Sequence, residues 1–331
     1  MGLLDDLGAW LDQKKRNVAV NAQNLPGLLA SFAQDVQQGA AADKSAWDAS
    51  RSVMPGVREA GIREMNARGQ ELGGLLGTFA GVGAKTADVV KLEQAKKMAK
   101  AGADPVDVWK QTGWTDQFPD GKWRFEISDD KAKPIKIGWG SSESLKHGDN
   151  GIEAVSSVFR HPDLGKAYSG TSAGYDAKGN RLVARIFPNK ENAAYEEGGL
   201  LTVGADLGKD GNWRIKPSQT LHELQHAVQQ REGFARGGSP DELAATLPAT
   251  QETANRLWKE KVAAGMDPSK AAAEALSEAR YDTYLKLAGE AEARLTQSRM
   301  DLTPAERAAR PPWLEFDVPR EQQIVRGLLG G

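Results

Sequence analysis

Cysteine is missing from all 331 residues. Its absence excludes disulfides, thiolate metal sites and cysteine nucleophiles together, so any bound metal must be held by histidine, aspartate or glutamate. A chain without thiols is also indifferent to redox conditions, which leaves its compartment open. Neither sign of charge is in large excess. The formal net charge of -2 creates no general basic field, so no nucleic-acid partner is expected. The uncharged stretch from Leu72 to Ala84 is shorter than the roughly 17–25 residues that a membrane helix needs, and no transmembrane segment is expected. The opening Met1-Gly2-Leu3-Leu4-Asp5-Asp6-Leu7 carries acids where a secretory signal would carry lysine or arginine, so no secretory signal is expected either.

What is present is an ordinary globular composition, 40% apolar, long enough for one large domain or two smaller ones. Residues 1–100 are polar, alanine-rich and helix-prone, interrupted near Pro26-Gly27 and Pro55-Gly56. Leu3, Leu4, Leu7, Trp10 and Leu11 follow helical spacing and form an apolar stripe suited to packing on the same chain or a partner. Gly73, Gly77 and Gly81, four apart, would let helix backbones approach closely in a buried or oligomer-forming segment. These features suggest a helical N-terminal region over 1–100 that packs against another copy of the chain or against another protein. Composition shifts near Gly102-Ala103-Asp104-Pro105, where the boundary with a domain over 101–331 is drawn.

Asp104 and Pro105 read as N-cap and first residue of a short helix that Gly113 stops. Asp120-Gly121 reads as a turn into a half-buried strand at Trp123–Ile127; Ile135–Trp139 and Arg181–Phe187 give two more strand candidates. Residues 200–215 are also extended and precede the most informative helix of the chain. They suit either an internal hairpin or a sheet edge on which an extended peptide could add a strand.

That helix contains Leu221-His222-Glu223-Leu224-Gln225-His226-Ala227-Val228, the pattern His-Glu-x-x-His. Residues four apart share a helix face, so His222 and His226 can offer two imidazole nitrogens to one zinc ion. Glu223 lies where its carboxylate can act as general base on a water at that metal. Leu221, Leu224 and Val228 supply a separate apolar face, and Gly233 a C-terminal stop. The bland alternatives are packing histidines and a Thr220-x-x-Glu223 capping box. The box is weakened because Pro217 and Ser218 can start the helix earlier.

Catalytic zinc needs a third protein ligand. Asp267-Pro268 starts an alanine-rich helix expected to run to about Arg299, and it carries Glu290 and Glu292. Two residues two apart diverge by about 200° around a helix, so at most one can face the metal, and the helical wheel does not decide which. His147 and His161 are the remaining histidines; Tyr281 and Tyr284 could donate to an oxyanion, although core packing is their commoner use.

The His-Glu-x-x-His helix followed by a helix with a glutamate resembles the zincin metallopeptidases of the glutamate-ligand type. There the ligand often stands in a Glu-x-x-small pattern, which Glu290 with Ala293 fits and Glu292 with Leu295 does not. The resemblance therefore implies Glu290 as third ligand, with Glu292 as alternative. An acidic residue one turn beyond, used by some members to orient a histidine, is replaced by Arg294. Over about 104–325, Asp107-Val108-Trp109-Lys110, Asp120–Ile127, His161-Pro162 with Tyr168, Glu232-Gly233-Phe234-Ala235 with Gly237-Gly238, and Gly289-Glu290-x-Glu292-Ala293-Arg294 are similar to zincin-like domains of phage and mobile-element polyvalent proteins.

The fold implied is α+β: a zincin-like domain with a small sheet and metal-bearing helices, preceded by the helical N-terminal region. The implied function is zinc-dependent hydrolysis of a protein or peptide substrate, with His222, His226 and Glu290 on Zn2+ and Glu223 as base. The expected setting is the virion or the host cytoplasm, with virion proteins as further partners. A non-enzymatic virion or DNA-injection protein that retains the fold is the competing expectation.

Overall fold

The computed structural model describes residues 77–129, 131–168, 182–191, 193–196, 198–240, 248–300 and 302–325. The Leu3–Leu11 stripe and Gly73 lie outside them. The described residues are mixed α and β and fall into two compact units, one of residues 77–237 and 287–325, the other within Gly238–Lys286.

In the first unit, strand β1 (Gly77–Ala80) pairs antiparallel with β3 (Arg124–Ser128), which also pairs with β2 (Trp114–Thr115). Gly77 thus enters a strand and not the close-packed helix that its spacing suggested; β1 stands at the end of the order β1-β3-β2, yet Thr78 and Phe79 are fully buried. Helices α1 (Val89–Lys100) and α2 (Pro105–Thr112) connect β1 to β2. Asp104 caps α2 through the Val106 N–H, and Gly113 closes it at φ 73°. β1 and α1 precede the boundary drawn near residue 101, yet both belong to this unit.

The second sheet has the order β10-β9-β7-β5, where β5 is Gly151–Ala154, β7 Val183–Pro188, β9 Leu200–Leu207 and β10 Trp213–Ile215. β7 and β9 run parallel; β8 (Ala194–Glu196) pairs antiparallel with β9 on the side opposite β7. Strand β9 is therefore interior. Leu201–Ala205 are buried without alternation, as expected of a strand covered on both faces; within residues 200–215 the end position of the sheet falls to β10 and not to β9. The strand read at Ile135–Trp139 is also replaced. Only Lys133–Pro134 (β4) pairs, with Phe159–Arg160 (β6), while Gly138 caps a helix, α3, over Trp139–Lys146. Short helices α4 (Val155–Val158) and α5 (Pro162–Ala167) flank β6.

Helix α6 (Pro217–Glu232) lies on this sheet through Leu221, Leu224 and Val228, all in the main core with Ile186, Leu201 and Val203. Pro217 opens it, and Gly233, at φ 66°, ends it by donating its N–H to the Gln229 carbonyl. Gln219 pins the helix to the sheet, accepting from the Gly204 N–H (2.9 Å) and donating to the Glu191 carbonyl (2.7 Å). At the far end the Glu232 carboxylate accepts from the Gly83 N–H and from the Tyr168 hydroxyl. A Cβ at Gly81 would stand 2.6 Å from that carboxylate, so a larger residue in the turn after β1 would displace the Glu232 side chain.

The second unit is a pair of helices, α7 (Pro248–Ala263) and α8 (Pro268–Leu285), joined around Asp267, whose carboxylate caps α8. Ala254 and Ala279 form its small core with Leu257 and Trp258; the Thr250 and Thr283 hydroxyls bond at 3.0 Å. The single helix expected from Pro268 to about Arg299 is thus two, α8 and α9 (Ala288–Ser298). Leu287 between them is extended and bridges Ile324, a long-range pairing that local helix propensity does not register. After α9 the first unit continues with α10 (Pro304–Ala309), begun by a Thr303/Glu306 capping box, and two short 3-10 turns at Pro312–Leu314 and Arg320–Gln322. No helix among the described residues is long and apolar enough to cross a membrane.

Candidate metal centre

Two helices build the site. α6 carries His222, Glu223 and His226; α9 carries Glu290 in its first turn. His222 Nε2 lies 3.2 Å from Glu290 Oε2, and His226 Nε2 lies 3.3 Å from Glu290 Oε1. Among the described residues these three are the group whose ligand atoms gather closely enough for a metal, all within 4.8 Å of one another. A tetrahedron with arms of about 2.0–2.1 Å has edges of about 3.3 Å, so nitrogen and oxygen stand near the separation that a tetrahedral ion would set. The donors, two imidazoles and a carboxylate, also match the chemistry of zinc. The histidine side chains are each 12% exposed and Glu290 2%, so the cluster reaches solvent on its imidazole side.

Each ring is held from behind. His222 Nδ1 meets Gln297 Oε1 at 3.0 Å, and His226 Nδ1 meets Gln229 Oε1 at 2.9 Å. Both amides are themselves oriented: Gln297 donates to the Ser218 carbonyl and Gln229 to the Gly289 carbonyl, so each presents oxygen, not nitrogen, to its histidine. An amide oxygen can only accept, which places a proton on each Nδ1 and directs Nε2 to the cluster. The sequence offered no acidic residue one turn after Glu290; Gln297, two turns on, fills the orienting role with an amide. Its spacing from Glu290 puts it on the same face of α9, a signal that could have found it.

The charges of the cluster shift one another's ionisation. Burial disfavours the charged form of His226, but the neighbouring Glu290 carboxylate outweighs it and raises its pKa to about 9. Burial likewise opposes ionisation of Glu290, which the two histidines hold well below the ordinary carboxylate range. Burial pushes the Glu223 carboxyl up, against the pull of the same histidines. Glu223 is 3% exposed.

The other sequence candidates are elsewhere. Glu292 turns from the histidines into a buried network, accepting from Gln225 (2.6 Å) and Arg124 (2.9 Å). His147 is exposed at the end of α3. Tyr281 and Tyr284 sit on α8, which is not continuous with the helix of Glu290. His161 is buried with Asp129; its Nδ1 caps α5 by accepting from the Leu164 N–H, and Nε2 faces the Asp129 carboxylate. Burial pushes the Asp129 carboxyl up, with His161 opposing. Replacing His161 with alanine leaves that carboxylate unpaired. It should cost about 3–5 kcal/mol, seen as a lower midpoint of thermal unfolding, with metal content unchanged.

Gln225 ties the centre to the first sheet, exchanging two hydrogen bonds with the Phe79 backbone on β1. Arg124 on β3 does so from the other side, through Glu292. The segment that contributes both strands has relatives. Residues 77–135 match the family model for large polyvalent protein associated domain 23. The match ends before α6 and bears on β1–β4 with α1 and α2, not on the metal ligands. It fits the resemblance to polyvalent proteins in the stretch where Asp107–Lys110 and Asp120–Ile127 carried it. No curated protein and no solved structure matches the chain.

Proposed function

We propose that the protein is a zinc-dependent peptidase of the zincin type, with His222, His226 and Glu290 as metal ligands and Glu223 as general base. The carrying observation is the convergence of both imidazole Nε2 atoms on the Glu290 carboxylate, with each Nδ1 committed to a glutamine oxygen. A metal-ligating histidine is commonly oriented in this way through its other nitrogen. Zinc at this position would supply a Lewis acid that polarises a scissile carbonyl and lowers the pKa of water. Glu223 would accept the proton of the attacking water as the new C–O bond forms, and return it to the amine as the C–N bond breaks. Gln229 and Gln297 keep the imidazoles aimed throughout.

The match of residues 77–135 supports a place among the polyvalent proteins of phage and mobile elements. The virion or the host cytoplasm as its setting, and a protein as its substrate, are further parts of the proposal. A second reading, a non-enzymatic virion or injection protein that keeps zinc for structure, is favoured by one observation: Glu223 is buried, where a base must meet water.

The metal reading is tested by elemental analysis of purified protein and its variants. Wild type should carry close to one zinc per chain. His222→Ala, His226→Ala and Glu290→Gln should each lose most of it, and Glu292→Gln should retain more than Glu290→Gln. Unchanged zinc in both histidine variants would sink the site.

A further inference from the structure

Arg124 is fully buried, and its guanidinium meets both α9 and the chain just beyond α6. Its guanidinium forms two hydrogen bonds with Asp120 (2.7 and 2.8 Å) and one with Glu292 Oε2 (2.9 Å). The Phe234 ring covers it at 3.7 Å, just beyond the end of α6. Asp120, its partner, also accepts the Ala235 N–H at 2.8 Å. One cation therefore fixes two things. It holds α9 through Glu292, two residues from Glu290, and it holds the chain from Phe234 that reaches Gly237 beside His226 and Glu290.

From this geometry we infer that Arg124 is a positioning residue for the metal centre, acting through Glu292 on Glu290 and through Asp120 and Phe234 on the backbone above His226. The inference rests on the metal reading above and deepens it. It also assigns a purpose to the segment matched by the polyvalent-protein model, which contains Asp120 and Arg124 but no ligand. A planar guanidinium with five donors can serve two carboxylates and stack on a ring at once, whereas a lysine ammonium cannot reproduce that fork.

The test uses the full chain and three variants: Arg124→Lys, Glu292→Gln and His161→Ala. The last perturbs a buried pair outside the centre and serves as the control for general destabilisation. Zinc affinity is measured by competition with a chromogenic chelator, well below each unfolding midpoint, and the visible bands of Co2+-loaded protein report ligand geometry. Arg124→Lys and Glu292→Gln are expected to weaken zinc binding by about 10–100-fold, the usual effect of losing an outer partner of a metal site, and to shift the cobalt bands. His161→Ala should leave both unchanged. Glu292→Gln keeps side-chain size, so it carries the test if Arg124→Lys does not fold. Wild-type affinity in both variants would overturn the inference while leaving the metal reading intact, and so would an equal loss in His161→Ala. Failure of the wild type to bind zinc would overturn both.

Discussion

Replacing Glu223 with glutamine is expected to lower turnover by about 10²–10⁴-fold, the range that general-base assistance contributes, while zinc content stays near that of wild type. Glutamine keeps the size of the side chain and removes only its capacity to take a proton. Stability should not fall. Burial raises the Glu223 carboxyl above its ordinary value, so the native state holds that proton more tightly than the unfolded chain does. Stability contributed by this group is present below the unfolded pKa and lost as pH rises through the folded one, and an amide removes that loss at neutral pH. Thermal unfolding of the metal-free forms should place Glu223→Gln level with wild type or above it. Activity is followed by incubating zinc-loaded protein with a host-cell extract, and with itself, then reading new chain termini by mass spectrometry. Termini that appear with wild type, and vanish with the variant and with chelator, support the peptidase. Equal termini in all three would mean a contaminant, and none in any would favour the structural reading.

Two glycines beside the centre should fail in different ways. A Cβ on Gly289 would collide with the backbone of Arg236 and Gly237, and neither is the end of a flexible side chain. Gly289→Ala is therefore expected to push α9 away from the Arg236–Gly237 segment and to cost about 1–3 kcal/mol or more, as overpacking does. For a domain of this size the unfolding midpoint should drop by about 2–4 °C per kcal/mol. A Cβ on Gly237 would meet Glu290 Oε1 and stand 2.5 Å from His226 Cε1. Those atoms can move, but they belong to the ligands. Gly237→Ala should keep its fold by circular dichroism and lose zinc affinity at least tenfold, in the manner of a disturbed ligand shell. A Gly237→Ala protein with wild-type zinc affinity would show that the backbone is not seated over the cluster.

Local signals were the ones legible in the sequence. The face of Leu221, Leu224 and Val228, the proline start and the Gly233 stop of α6 depend on neighbours within a few turns, and the helix has those bounds. The Asp104-Pro105 and Asp267-Pro268 starts are local in the same sense. What escaped was set by distant chain. Gly77 was read by helical spacing but pairs with Ser128 across the sheet. The break between α8 and α9 is held by Ile324. The wheel could not separate Glu290 from Glu292, because both are buried and each has its own partner: the histidines for one, Arg124 and Gln225 for the other. Arg124 gave no warning at all, since an isolated arginine in a strand ordinarily reads as a solvated side chain.

The chain leaves the first unit at Gly237 and re-enters it at Leu287, and Gly289 packs against the Arg236–Gly237 backbone. Exit and re-entry are thus side by side. Whatever runs between them is a loop with its ends already clamped, and the entropy of closing a loop grows only with the logarithm of its length, by about 0.6 kcal/mol per doubling. The separation of His226 from Glu290 along the sequence therefore sets almost nothing about their separation in space. Relatives of this chain could lengthen, shorten or exchange the α7–α8 excursion with the ligands kept in place, so a sequence search for the third ligand should fix the residues around it and leave the interval free.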